Sequence, residues 1–155
     1  MKINQFTRIH GQKVIFVPYE ACHVSKYHGW LMSDELQKLT GSEPLTLQQE
    51  YDMQKSWRED DNKVSYQGKG LGKESLLIMI LYGSQKLHMK RVTAKIGLMN
   101  IPSIQLFTQV GFSEISRSDV FQEVTYELVL SPTVIEWFQT EVGNFVVKEG
   151  ENNQT

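Results

Sequence analysis

The chain has 155 residues, 40% of them hydrophobic and 22% charged, with Lys+Arg 16 against Asp+Glu 18, the make-up of one folded domain and not of a disordered polymer. A formal net charge of -2 and a pI near 6.1 supply no general basic field, so nucleic acid is not expected as a partner. A lone cysteine, Cys22, permits no internal disulfide, four scattered histidines lack zinc-ligand spacing, and no apolar run nears the roughly 20 residues of a membrane span, so we expect a cytosolic or nucleocytosolic protein without metal.

Residues 13–17 form a β-branched and aromatic run stopped by Pro18, the expected first strand. From Ala21 to Leu39, Val24, Tyr27, Leu31, Leu36 and Leu39 recur with a helical rhythm, broken near Ser33 and Asp34 and closed by Gly41. A turn at Ser42, Glu43 and Pro44 precedes a capping-box pair, Thr46 and Gln49, in which each side chain can satisfy the other's free backbone N–H. The helix it opens covers residues 47–57, with Leu47, Tyr51, Gln54 and Trp57 on one face. A charged loop, 58–63, and a strand stub at most, 64–66, lead to the glycine-rich turn 67–72.

Residues 73–87 predict a helix whose centre is apolar on every side, which requires deep burial against a sheet. A strand at 91–96 follows, then a loop to Asn100 and a helix opened by Pro102 and ended by Gly111. Strands at 112–118 and 121–130 make an antiparallel hairpin turning near Asp119, with Val124, Tyr126, Leu128 and Leu130 on one face. A short helix is expected over 133–142; 144–147 has no clear preference, and 148–155 reads as a polar, disordered tail.

The turn Gln67-Gly68-Lys69-Gly70-Leu71-Gly72-Lys73 carries the chemistry. Glycines permit positive φ and close approach, so successive N–H groups and the helix N-terminus can converge on one phosphate or pyrophosphate, with Lys69 and Lys73 adding charge. A ligand-free tight turn is the plainer alternative. A P-loop fails, because Gln67 stands where its first glycine belongs and Glu74 where its Ser or Thr belongs. A dinucleotide fingerprint fits only with Ser75 as its last glycine, and Lys95 and Ile96 stand where the ribose-binding acid should be.

Gln67, Gly70 and Gly72 do satisfy Gln-x-x-Gly-x-Gly, and here the sequence resembles the GNAT superfamily of acetyl-CoA-dependent N-acetyltransferases. The segment from Asn100 to Phe112 is similar to that family's helix beside the pantetheine arm. Val17-Pro18-Tyr19, Glu50-Tyr51, Ser56-Trp57-Arg58-Glu59-Asp60 and Phe121-Gln122-Glu123 look like its N-acetyltransferase 9 branch. The resemblance implies a mixed α+β sheet of the GNAT acyl-CoA N-acyltransferase fold, transfer of acetyl to a protein or peptide amine, acetyl-CoA as co-substrate, and carrier contacts from Gln67, Gly68, Lys69, Gly70, Leu71, Gly72, Lys73, Asn100 and Ser103.

The family order then calls for three antiparallel strands between Trp57 and Gln67, needing on the order of 25 residues. Nine are present. We therefore expect one domain over 1–147, incomplete between 58 and 67, that has lost about three central strands, as in a splice product or faulty gene model. The lost strands would have polarised the thioester carbonyl and supplied a base, so no catalytic residue is assigned. Phe107 stands where the family often has a proton-donating Tyr. A catalytically dead interaction module is the alternative, and the oligomeric state is open. Among single residues, Trp30 and Trp57 are expected in the core and Glu43, Glu50 and Glu59 on a solvated surface. His23 and His28 are expected to be structural or exposed, and Asn100 by itself reads as a helix cap.

Overall fold

Strand β1, Thr7–His10, alternates buried and more exposed residues, and in the computed structural model it pairs antiparallel with β2, Ile15–Phe16, on one side. On its other side it pairs with β6, Val146–Glu149, in the register Thr7↔Glu149 to His10↔Val146. The structure describes residues 4–40, 43–59 and 72–150. They fall into two compact units, one drawn from Met1–His10, Val14–Lys69 and Val146–Thr155, the other from Gly11–Lys13 and Gly70–Phe145.

The first unit joins this small sheet to helices α1 (Ala21–Leu31), α2 (Asp34–Thr40) and α3 (Leu47–Glu59). The break near Ser33 is present. Helix α1 is capped where Glu20 N–H donates to His23 Nδ1 (3.0 Å). The capping box of α3 forms as its sequence requires: Thr46 N–H donates to Gln49 Oε1 (2.8 Å) and Gln49 N–H to Thr46 Oγ1 (3.3 Å). Tyr19 and Val24 are buried, with Tyr27, Tyr51 and Trp57 packed against them.

Three expectations are corrected here. The run at 13–17 yields only the two paired residues of β2, because Thr7–His10 takes the central position of the sheet. Lys148 and Glu149 are not tail but strand: Arg8 and Thr7 offer them a ladder that local polarity could not reveal. Trp30 is 39% exposed, its ring covered by the Lys26 ammonium at 5.5 Å from the centroid, whereas Trp57 packs beside Tyr19 as expected.

The second unit is built on α4, Gly72–Lys86, whose Leu77, Ile78, Ile80, Leu81, Tyr82 and Gly83 are buried. Its sheet runs β3 (Arg91–Gly97), β5 (Glu123–Val129), β4 (Ser113–Ser118), all antiparallel. Val124, Tyr126, Leu128 and Leu130 form the buried stripe the alternation predicts. Helix α5, Ile101–Gln109, ends before Gly111 at φ 98°. Helix α6, Pro132–Val142, starts where Ser131 Oγ accepts from Val134 N–H (3.3 Å). Among the described residues α3 is followed by α4 with no strand between, and no helix is long and apolar enough to cross a membrane. Gly41, the stub at 64–66 and residues 151–155 lie outside the described residues.

Candidate functional site

The glycine turn enters the second unit at α4. Gln67, Gly68, Lys69, Gly70 and Leu71 lie outside the described residues; Gly72 and Lys73 open the helix. Gly72 comes so close to α5 that a Cβ placed on it would sit 3.0 Å from Leu106 Cδ2, so the missing side chain is what lets the two helices meet there. The Lys73 ammonium is 2.6 Å from Glu141 Oε2 and 5.9 Å from the centre of the Trp137 ring. That charge is already engaged by α6.

Glu74 is turned inward. Its Oε1 accepts from Gln12 N–H (2.7 Å) and Lys13 N–H (3.0 Å), while Oε2 is buried without a hydrogen-bond partner among the described residues. Gln12, Lys13, Lys73, Glu74, Glu141 and Val142 line a cavity of about 250 Å³ together with Leu77. With both charged side chains of the first turn bound to protein, what α4 can offer a diphosphate is main-chain N–H and the positive end of the helix. The described residues fit a carrier held in that way.

The second expected contact is at α5. Asn100 Oδ1 accepts from Ser103 N–H at 3.2 Å, so both residues serve as a helix cap, and Pro102 loses no bond in the first turn. Phe107 packs its ring edge-on to Phe112, centroids 4.9 Å apart. It is hydrophobic packing where the resemblance would put a proton donor. Strand β3, which leads into α5, is bonded to β5 along one side only among the described residues.

In the first unit the structure corrects the reading of Glu50. Instead of being solvated it is fully buried, and neither carboxylate oxygen has a hydrogen-bond partner among the described residues. Burial pushes its pKa up, and His28, 4.0 Å away, pulls it back down. The same setting raises the phenol of Tyr19, first by burial and then through Glu50, and that of Tyr27 likewise. A signal existed: Glu50 sits four residues before Gln54, the other buried residue of α3, so the two share the face that turns inward. Glu43 and Glu59 are exposed as expected. Among the described residues no group of three or more His, Cys, Asp or Glu is arranged to hold a metal ion.

No family model matches the chain. Among solved structures it is similar to an uncharacterised protein of Bacillus halodurans (TM-score 0.70, 11% identity, 86% of this chain and 94% of that one). It is also similar to a GNAT-family acetyltransferase of Bacillus anthracis (TM-score 0.64, 12% identity, 79% and 98%). At such identities the likeness establishes the fold, which is that of the GNAT acetyltransferases. In sequence, the chain is 41% identical over 172 residues to the N-acetyltransferase 9-like protein of Nematostella vectensis, covering 81% of this chain and 87% of the relative. It is 37% identical over 186 residues to the alpha/beta-tubulin-N-acetyltransferase 9 of Homo sapiens, covering 88% and 90%. The chain belongs to the N-acetyltransferase 9 family and, by that kinship, is an acetyl-CoA-dependent N-acetyltransferase. Both alignments are longer than the chain's own 155 residues while leaving part of it unmatched, so each relative carries residues with no counterpart here.

Proposed function

We propose that the site serves acetyl transfer to a protein amine, tubulin being the acceptor in the name of the human relative, and that this shortened chain keeps carrier binding but has lost turnover. The observation that carries the reading is the open side of β3: all seven residues pair with β5, and among the described residues none pairs on the other edge. In the GNAT arrangement that edge faces the strand beside which the acetyl arm lies. Acetyl-CoA, when bound, supplies an activated acetyl thioester; the chain's own part is to hold the diphosphate at the main chain of residues 67–72 and to keep α5 capped at Asn100. Amine attack also requires a positioned base. Within the second unit Glu74, the acid of α4's first turn, is occupied by Gln12 and Lys13, and Phe107 has no proton to give.

Calorimetric titration with acetyl-CoA and a thiol-release assay on tubulin and on peptide amines test this. Binding with a flat thiol trace is expected. Thiol release would overturn the loss of turnover. Absence of binding at millimolar ligand would favour an interaction module, a reading supported by one end of the second unit's sheet. There Leu98 N–H donates to Gln122 O (2.8 Å), and Met99, Val120 and Phe121 are 81%, 87% and 74% exposed.

A further inference from the structure

The outer edge of β3, with which no strand pairs among the described residues, has a defined hydrogen-bonding register. Leu130 N–H donates to Lys90 O (2.9 Å) and Leu98 N–H to Gln122 O (2.8 Å), so even-numbered residues turn their amides toward β5. The N–H and C=O groups of Arg91, Thr93 and Lys95 therefore point to the outer side, as does the Gly97 N–H, while Gly97 O already accepts from Asn100 N–H (2.9 Å). No proline interrupts the strand.

We propose that this edge pairs with β3 of a second copy of the chain, antiparallel about a two-fold axis at Ala94. Centring on Ala94, the midpoint of Arg91–Gly97, pairs the whole strand, and side-chain parity and charge agree with it. A continuous sheet with helices kept on one side requires even residues to face even residues. Centring on Thr93 sets Arg91 opposite Lys95, and centring on Lys95 sets Lys95 opposite itself; like charges directly opposed destabilise a ladder. Centring on Ala94 sets Arg91 opposite Gly97, Thr93 opposite Lys95 and Val92 opposite Ile96, with no like pair opposed. Of those odd-numbered pairs, Thr93 with Lys95 turns both N–H and both C=O groups outward to exchange hydrogen bonds, and Arg91 with Gly97 adds the bond from Gly97 N–H to Arg91 O. Arg91 is also already partnered by Glu127 at 3.3 Å on the neighbouring strand. Ala94, the smallest side chain of the stripe, falls where the two copies approach most closely. The match is self-complementary, as a two-fold interface must be.

Sedimentation velocity of the full chain across a concentration series is the first test, and a monomer–dimer equilibrium is expected. Thr93→Pro removes one outward N–H without touching the ladder to β5, and it should weaken the dimer by about tenfold while far-UV dichroism stays native. Ala94→Cys in a Cys22→Ser background keeps the proposal testable if that variant does not fold. Residues facing each other as a non-hydrogen-bonded pair bring their Cα atoms to about 4.5 Å, so mild oxidation should give a disulfide dimer, whereas Arg91→Cys should not. A chain that stays monomeric throughout and yields no Ala94→Cys disulfide overturns the proposal. So does a folded Thr93→Pro chain that dimerises with unchanged affinity.

Discussion

Nδ1 of His28, on α1, stands 4.0 Å from Oε1 of Glu50, on α3, inside a shell that includes Tyr19, Tyr27 and Tyr51. At that distance the imidazole attracts the carboxylate without hydrogen-bonding it, and among the described residues Glu50 has no hydrogen-bond partner. Desolvation outweighs the attraction, which is why the carboxyl holds its proton above the ordinary range.

This fixes the sign of a pH effect. A carboxyl whose pKa is higher in the folded than in the unfolded chain binds more protons when folded, so stability falls as pH rises from the ordinary carboxyl range through the raised value, and then levels off. Chemical denaturation of the wild type from acid to neutral pH should show that decline. Glu50→Gln removes the charge but keeps the shape. Its profile should lose this segment and lie above the wild type at neutral pH. A variant less stable at pH 7, with the decline intact, would show Glu50 to be ionised and satisfied.

Phe138, on α6, is fully buried in the second unit. Truncation removes a ring and leaves a cavity that well-packed neighbours cannot close, so Phe138→Ala should cost about 3–5 kcal/mol, read from the urea midpoint at unchanged slope. Exposed Val120, on the hairpin, should tolerate alanine within about 0.5 kcal/mol.

Gly143 ends α6 at φ 67° and ψ -150°, a conformation that side chains resist, and a Cβ there would lie 2.6 Å from Gln12 Nε2. That nitrogen donates to Val142 O at 3.1 Å. Gly143→Ala therefore strains the backbone and displaces a helix-end bond together. A loss of about 1–3 kcal/mol is expected by thermal or urea unfolding.

What the sequence made legible was local. Periodicity and end signals place α1 to α6, β3 and the β4–β5 hairpin, because Thr46 with Gln49, Pro102 and the alternation from Val124 to Leu130 act within one element. The misses are tertiary. Strands β1 and β6 exist because Thr7–His10 and Val146–Glu149 find each other across almost the whole chain, and no short window contains that pairing. Glu50 departs from the expected solvated surface because the desolvation cost that ordinarily turns a carboxylate outward does not do so here. At the proposed carrier site, Asn100 and Ser103 are placed as a cap, but the engagement of Lys73 by Glu141 lies 68 residues away and has no local signature.

That engagement supplies the last prediction. If the Lys73 ammonium is to reach a diphosphate at the start of α4, it must give up Glu141, and the two anions compete for one cation. The pair is substantially exposed, 47% and 37%, so the competition amounts to about 0.2–1 kcal/mol. Glu141→Gln frees the ammonium and should tighten acetyl-CoA binding by about two- to fivefold in calorimetry, more at low ionic strength than at high. Adding Lys73→Met should abolish that gain. Both variants should unfold within about 1 kcal/mol of the wild type, which separates the effect from a change in fold. Equal affinities across all three proteins would assign the diphosphate to main-chain N–H groups alone and remove Lys73 from the carrier contacts.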